Sequence, residues 1–356
     1  MSRVSIVRCD DQNIKGCVKK SIDMLNTVSF SDSDVVVIKP NLCDLKSSAK
    51  GVTTDPRIVE AVIDYIRQKA DPVIIIVESD HWIATAEEEF VRLGYRNLAE
   101  KLDVELVNLS KDEIFEIELD GKYFKTFDTP KTLLVATKFI SIAQLKTHTQ
   151  VRMTCIMKNQ FGLISRRLKS KHHPYMSEVL FDINKLFKPD LCVVDALVGM
   201  EGTGPADGLP IRVGLIISGT NPVATDAIAA TIMGFKPRSI PYLKYAEKHG
   251  LGSISKIELF GEPIDKVKQK FEFIPWFSYA LYRMSFRMKR VGVMIERFFD
   301  KLASFTDITA TGLIVLRRGF VVGPGSGATT LSNGIQYIKE VIKLFFVRVR
   351  RGWKHI

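Results

Sequence analysis

Val35-Val36-Val37-Ile38-Lys39-Pro40-Asn41, then Asp55-Pro56 and the amphipathic run to Lys69, then Val73-Ile74-Ile75-Ile76-Val77 decide how this chain folds. The first and last pieces are short β-branched runs, which read as strands. The piece between them carries helix signals. Asp55 suits the N-cap, and Pro56 suits the first helical position, where its missing amide hydrogen costs nothing. A strand, a helix and a strand in that order form a βαβ unit, so the two strands are expected to be parallel.

The same alternation runs through the first 260 residues, with further strands expected at residues 4–7, 104–107, 139–142, 191–194 and 213–217. Asn221-Pro222 repeats the helix-start signal, and that helix should run to about Met233 and close at Gly234. Asp120-Gly121, between runs at 114–119 and 122–127, predicts a type I′ hairpin that extends a sheet edge or covers a site. The expected fold is α/β, a mainly parallel or mixed sheet flanked by helices, with a basic C-terminal helical extension. At 356 residues, 46% hydrophobic and 26% charged, the chain is globular and long enough for about two domains. Charge places the division. From residue 261 onward 17 Lys and Arg face 7 Asp and Glu, whereas residues 1–260 hold 34 against 33. An α/β domain over 1–260 and a basic, aromatic-rich region over 261–356 are therefore expected.

Cysteines 9, 17, 43, 155 and 192 form no Cys-x-x-Cys pair and no zinc-ligand spacing, which favours a reducing compartment. Met1 to Val7 reads as a short strand rather than a signal peptide. A cytoplasmic location, with contact to the inner membrane surface as an option, is the expectation.

Chemistry concentrates in one window. Between Asp128 and Glu178 there is no acidic residue, but nine Lys and Arg and three histidines. Lys146-Thr147-His148 to Lys158-Asn159 alternates cations with hydroxyls and amides, a donor set suited to carboxylate, phosphate or sulfate oxygens. Polar groups also follow several strand runs: Lys39-Pro40-Asn41, Glu78-Ser79-Asp80-His81, Lys146 and Asp195. That edge of an open α/β sheet is where ligands bind. The candidate catalytic residues are His148, Lys146 and Asp195. The candidate substrate-binding residues are Lys39, Asn41, Lys158, Asn159, Gly202, Gly204 and Asp226. Asp195 and Asp226 are expected to hold the ammonium of Lys146 or Lys158, or a cation; a place in the first turns of a helix would also suffice for Asp226. Arg166, Arg167, Lys169 and Lys171 read as a solvated basic face.

Four glycines between Gly199 and Gly208 would let backbone approach a ligand closely, and a wide surface turn fits the segment nearly as well. It matches neither a Walker loop nor a Rossmann fingerprint. Asp80, His81, His148 and Asp195 are the best donor types for a metal, but no spacing is diagnostic and no metal is assigned. Cys155 reads as a small buried hydrophobe, and no nucleophile elbow is present.

With these residues in view, the chain resembles the family known as domain of unknown function 362. The resemblance rests on Lys39-Pro40-Asn41-Leu42, Gly51 to Pro56, Lys146-Thr147-His148, Lys158-Asn159, Gly162, Asp195 to Gly208 and Gly219 to Asp226. It implies a cytoplasmic α/β protein of a family often found beside or fused to iron-sulfur domains, with no settled reaction. Many relatives resemble redox proteins through a C-terminal ferredoxin module. This chain departs there, having no cysteine after Cys192, so no built-in ferredoxin-type cluster is expected and a redox role would need an external ferredoxin-like donor. The cofactor is otherwise left open.

In the C-terminal region Trp276, Phe277, Tyr279, Tyr282 and Phe286 are mixed with Arg283, Arg287, Lys289 and Arg290, as in a helix lying on an anionic membrane surface. A packing helix with snorkelling cations fits as well. The uncharged run from 273 to 282 is too short to span a bilayer, which takes roughly 20 apolar residues. Nucleic acid is not an expected partner, since no binding fold is recognised. Two functions follow: an enzyme binding an anionic small molecule in a Lys/His/Asp crevice, or a peripheral membrane or adaptor protein working through its basic C-terminal region.

Overall fold

The computed structural model describes residues 1–166 and 169–273. Among these are strands β1 (Ser2–Arg8), β2 (Val35–Lys39), β3 (Val73–Glu78), β4 (Glu105–Asn108), β5 (Ile114–Glu118), β6 (Thr126–Pro130), β7 (Lys138–His148), β8 (Arg152–Thr154), β9 (Leu191–Glu201), β10 (Leu209–Gly219) and β11 (Ile257–Gly261). One sheet runs β11-β1-β10-β9-β7-β2-β3-β4, with β8 added onto β7. From β9 to β4 all neighbours are parallel. β10 lies antiparallel between β9 and β1, and β8 folds back antiparallel on β7. The sheet is mixed around a parallel centre, as an α/β fold of this kind requires.

Alternation along the central strands sends side chains to two cores. Val36, Ile38, Ile74, Ile76, Ile140 and Ile142 pack with residues of α1 (Ile14–Asp23), α2 (Pro56–Arg67), α3 (Ala86–Arg92) and α4 (Tyr95–Leu102). Val37, Ile75, Val77, Ala143 and Leu145 face the other way, with Leu133 of α5 (Lys131–Val135). On that side they meet α6 (Ile156–Asn159), α7 (Met176–Leu186), α8 (Pro222–Ile232), α9 (Pro241–Lys248) and α10 (Ile264–Val267). Strands covered on both faces are apolar throughout, which is why their sequences run β-branched without alternating. The caps are those expected. The Asp55 side chain accepts from Arg57 N, Asn221 accepts from Val223 N and Ala224 N, and Gly234 follows α8 at φ +81°.

Two expectations need correction. The hairpin exists, but β5 and β6 pair Glu118 with Thr126, leaving a longer loop than Asp120-Gly121 alone would make. The cause is Asp182 on α7, whose carboxylate accepts from Lys122 N, Tyr123 N and Phe124 N at 2.7–2.9 Å and holds the loop open. Strand β7 also runs to His148 rather than stopping near residue 142, so Lys146 lies within a strand, as does Asp195 in β9.

Residues beyond Gly261 continue into the packed structure, where Val267 and Phe271 are buried and join the core. The basic stretch from 274 onward, with its expected helix, lies outside the described residues. Among the described residues no helix is long and apolar enough to cross a membrane.

Candidate functional site

The chain leaves β2 through α2 toward β3 on one side, and leaves β7 toward β9 on the other. Crossovers that part in opposite directions mark the carboxyl ends of the two strands as the usual place for a ligand crevice in such sheets. Lys39 ends β2 and Lys146 lies near the end of β7, so both reach this crevice.

Two asparagines close its floor. Asn159 Nδ2 donates to Lys39 O at 3.2 Å and to Ser141 Oγ at 3.1 Å, tying together the two strands that diverge. Its Oδ1 accepts from Asn41 Nδ2 at 3.1 Å, and Asn41 Oδ1 is left buried without a partner.

Above them sit four lysines. Lys39 Nζ makes a buried ion pair with Glu78 Oε2 at 2.7 Å and donates to Pro40 O at 3.0 Å. Lys146, fully buried, donates to Cys43 Sγ at 3.0 Å and to Val52 O. Lys169 donates to Ser79 Oγ at 2.6 Å, and that hydroxyl in turn donates to Gly162 O. Lys158 lies 4.1 Å over the Phe161 ring and, among the described residues, has no hydrogen-bond or ion-pair partner for its ammonium. An ammonium offers three donors, so each of the four keeps at least one uncommitted. Gly162 makes the crowding feasible: a Cβ there would stand 2.5 Å from Lys39 Cε and 2.8 Å from Glu78 Oε1.

Lys158 is half-buried as a residue, and protein surrounds its ammonium closely. That burial, with Lys169, Lys146 and Lys39 adding their charge against the partial compensation of Cys43, lowers its pKa to about 7. Burial likewise lowers Lys169 to about 8, against the pull of Glu78.

The expected roles of the aspartates do not hold. Among the described residues Asp195 and Asp226 pair with no lysine, and they lie on opposite faces of the sheet. Asp195 takes the face of Leu191 and Val193, whereas α8, which carries Asp226, packs on the face of Cys192 and Val194. Asp195 accepts from Asp55 N at 2.8 Å and Leu197 N at 3.1 Å, and Asp226 accepts from Ile156 N at 2.8 Å and Met157 N at 3.1 Å. Burial pushes each carboxyl up to about 7. Helix α6 lacks a capping side chain of its own, so Asp226 caps it from a neighbouring helix and fixes the segment bearing Lys158 and Asn159. Both aspartates are positioning residues.

His148 is nearly buried and its Nδ1 accepts from Gln150 N at 3.1 Å, which leaves the proton on Nε2. Burial, then the charges of Lys158, His173 and Lys146, hold its pKa well below 6.5. At neutral pH its Nε2 is therefore a hydrogen-bond donor and not the acceptor that a catalytic base requires. His173 is similar: its Nδ1 lies 3.3 Å from Gln150 Nε2, and burial lowers it to about 3.

Gly202 and Gly204 brace the end of β7 through their carbonyls. Thr147 Oγ1 donates to Gly202 O at 3.0 Å, Thr149 N donates to Gly204 O at 3.0 Å, and a Cβ on Gly204 would meet Thr147 O at 2.0 Å. The four metal-donor candidates do not converge. Asp80 binds Ala86 N and Asn108 Nδ2, His81 pairs with Glu89 at 2.6 Å, and His148 and Asp195 are engaged as above. Cys155 is buried in the core, where burial keeps it a thiol.

Sequence reasoning missed Cys43, Glu78 and Ser79 as lysine partners, and set Lys169 aside as solvated. For Glu78 and Ser79 a signal was there, since both directly follow the apolar run of β3.

This is an α/β protein whose mixed sheet gathers four lysines at the carboxyl edge of its central parallel strands. It belongs to the family described as Domain of unknown function (DUF362), whose model matches residues 36–231 and so takes in all four lysines. The chain is 28% identical over 225 residues to a thylakoid-associated protein of Synechocystis sp., in a match covering 61% of this chain and 68% of that protein. Among solved structures it is similar to the lactate racemase apoprotein from Thermoanaerobacterium thermosaccharolyticum, at 10% identity and a TM-score of 0.39, covering 69% of this chain and 56% of that one.

Proposed function

We propose that the crevice between β2 and β7 binds a small carboxylate or phosphate compound and that the protein is an enzyme acting on it. The observation that carries this reading is the gathering of four lysines whose direct hydrogen-bond partners include a single carboxylate, Glu78. Such an excess of cations is costly unless an anion offsets it. Lys39, Lys146 and Lys169 hold the anion with their uncommitted donors, His148 adds its Nε2–H, and Lys158 moves the proton.

An anion favours the charged form of Lys158. Binding above pH 7 therefore takes up a proton, and affinity falls as pH rises from 7 to 9. The groups that set this titration are Cys43, Lys39, Lys146, Lys169, His148 and His173. Thermal unfolding with inorganic phosphate, against chloride at equal ionic strength, tests the reading. Wild type is expected to be stabilised saturably, and Lys158→Gln and Lys169→Met each to weaken the phosphate response about ten-fold, the worth of one charge-assisted hydrogen bond. Equal phosphate responses in both variants and wild type would place the anion elsewhere.

A second reading is supported by the cations and aromatic residues of the C-terminal region and by the thylakoid association in the relative's name. In it the basic region docks peripherally on an anionic membrane. Full-length protein is expected to sediment with phosphatidylserine-containing vesicles, whose negative surface attracts clustered Lys and Arg. Replacing Arg283, Arg287, Lys289 and Arg290 together by Gln should release most of it at 0.15 M salt; undiminished sedimentation would discard this reading.

A further inference from the structure

We propose that Lys158 is a covalent nucleophile whose amine condenses with the carbonyl of a 2-oxo acid, or of a phosphorylated aldehyde or ketone, held in the crevice. This rests on the anion-binding reading above and names the class of substrate for it.

A Schiff-base lysine must be uncommitted, reachable, and flanked by groups that hold the rest of its substrate. Three of the four lysines fail the first two conditions. Lys39 is bound to Glu78 and Pro40 O, Lys146 to Cys43 and Val52 O, and Lys169 to Ser79, and their exposures are 1%, 0% and 9%. Lys158 alone combines partial exposure with an ammonium free of hydrogen-bond and ion-pair partners among the described residues. Its ammonium lies over the face of Phe161, which steadies the side chain without taking its proton. The three committed lysines do double service. Their charge favours the neutral, nucleophilic amine, as two adjacent cations resist joint protonation, and their spare donors receive the carboxylate or phosphate of the same substrate.

The chemistry balances without an oxidant or metal. The Lys158 nitrogen lone pair attacks the carbonyl carbon, a C–N bond forms, and the C=O π pair moves to oxygen. That oxygen takes a proton and the nitrogen releases one, giving a carbinolamine. A further proton on the hydroxyl lets the C–O bond break as the nitrogen lone pair forms the C=N bond; water leaves, and the nitrogen gives up its remaining proton, returning the one added. The sum is carbonyl plus amine giving imine plus water. His148, neutral and carrying its proton on Nε2, can steady that oxygen by donating a hydrogen bond, while the proton itself passes from the attacking nitrogen through solvent.

The test is trapping on the full-length protein. Glyoxylate, the smallest 2-oxo acid, is added at pH 7.5 with sodium cyanoborohydride, so that any imine becomes a stable carboxymethyl amine, and modified lysines are mapped by peptide mass spectrometry. Lys158 is expected to be modified at least ten-fold faster than the median lysine, with excess inorganic phosphate suppressing the reaction. Lys158→Arg, checked for an intact unfolding transition, is expected to lose that fast phase only. Modification spread over exposed lysines with no preference for Lys158 overturns the proposal. If phosphate still stabilises the protein in that case, the anion site survives and only the covalent step falls. Fast modification of Lys158 that phosphate does not suppress upholds the nucleophile and removes the anion site.

Discussion

Glu78→Gln is expected to lower the free energy of unfolding by about 3–5 kcal/mol, because it strands a buried ammonium. Glu78 Oε2 accepts from Lys39 Nζ at 2.7 Å and from Leu42 N at 3.2 Å, and its Oε1 accepts from Ser79 N at 2.9 Å. The side chains of the pair are 1% and 4% exposed, so water cannot take over as partner. Glutamine is nearly isosteric and its oxygen can still accept from a backbone amide, which confines the damage to the lost charge. Gly162 packs against both side chains, so neither can swing outward to hydrate. The double variant Lys39→Met with Glu78→Gln should recover much of the loss, since nothing charged is left stranded, and its coupling energy should exceed about 2 kcal/mol. Urea unfolding of the three variants measures this. Strict additivity, or a loss under about 1 kcal/mol for Glu78→Gln, would mean that Glu78 is not the counter-charge of Lys39.

The fold was legible wherever a segment's neighbours impose a simple local rule. The run at 35–38 is buried on both faces, so it is apolar at every position, and Asp55-Pro56 and Asn221-Pro222 announce their helices because caps are local chemistry. Legibility failed where a distant group decides. The length of the β5–β6 loop is set by Asp182, more than fifty residues on, and no turn preference at Asp120-Gly121 encodes that. The polar end of β7 does not look like a strand, yet Lys146, Thr147 and His148 pair with β8 and are buried.

The site divides in the same way. Lys39, Asn41, Lys146, His148, Lys158 and Asn159 were recognisable because they stand at strand ends or in a run without acids. Asp195, directly after an apolar strand run, and Asp226, in the first turns of a helix, misled, since a carboxylate that caps backbone amides and one that holds an ammonium have the same sequence appearance. Lys169 misled in the opposite sense. Its neighbours Arg166 and Lys171 do face solvent or surface acids, and only the fold turns Lys169 inward to Ser79. Read this way, the two aspartates are the scaffold of the site: one holds the loop that follows Asn41, the other holds α6, and each lets a lysine stand where solvent would not leave it.

Lys158→Met is expected to stabilise the protein at pH 6 by about 2–4 kcal/mol, discounted because the residue is only half-buried, while weakening the phosphate response about ten-fold. The sign follows from linkage. The lysine titrates at 10.5 when unfolded and at about 7 when folded, so between those values the unfolded chain binds the extra proton and the folded protein does not. Wild type is therefore penalised in full below pH 7, and the penalty fades as pH rises toward 10.5. Methionine keeps the apolar stem over Phe161 and cannot be charged, so it escapes the penalty at every pH. Its advantage should be greatest at pH 6, smaller at pH 8.5, and nearly gone at pH 10. A residue that exists for packing alone would show the reverse: its removal would destabilise, and by the same amount across this range. Chemical unfolding of both proteins at the three pH values separates the cases. A stability gain that shrinks with pH, joined to weaker phosphate binding, is the mark of a lysine kept unpaired for what it binds, and a pH-independent loss would return Lys158 to the core.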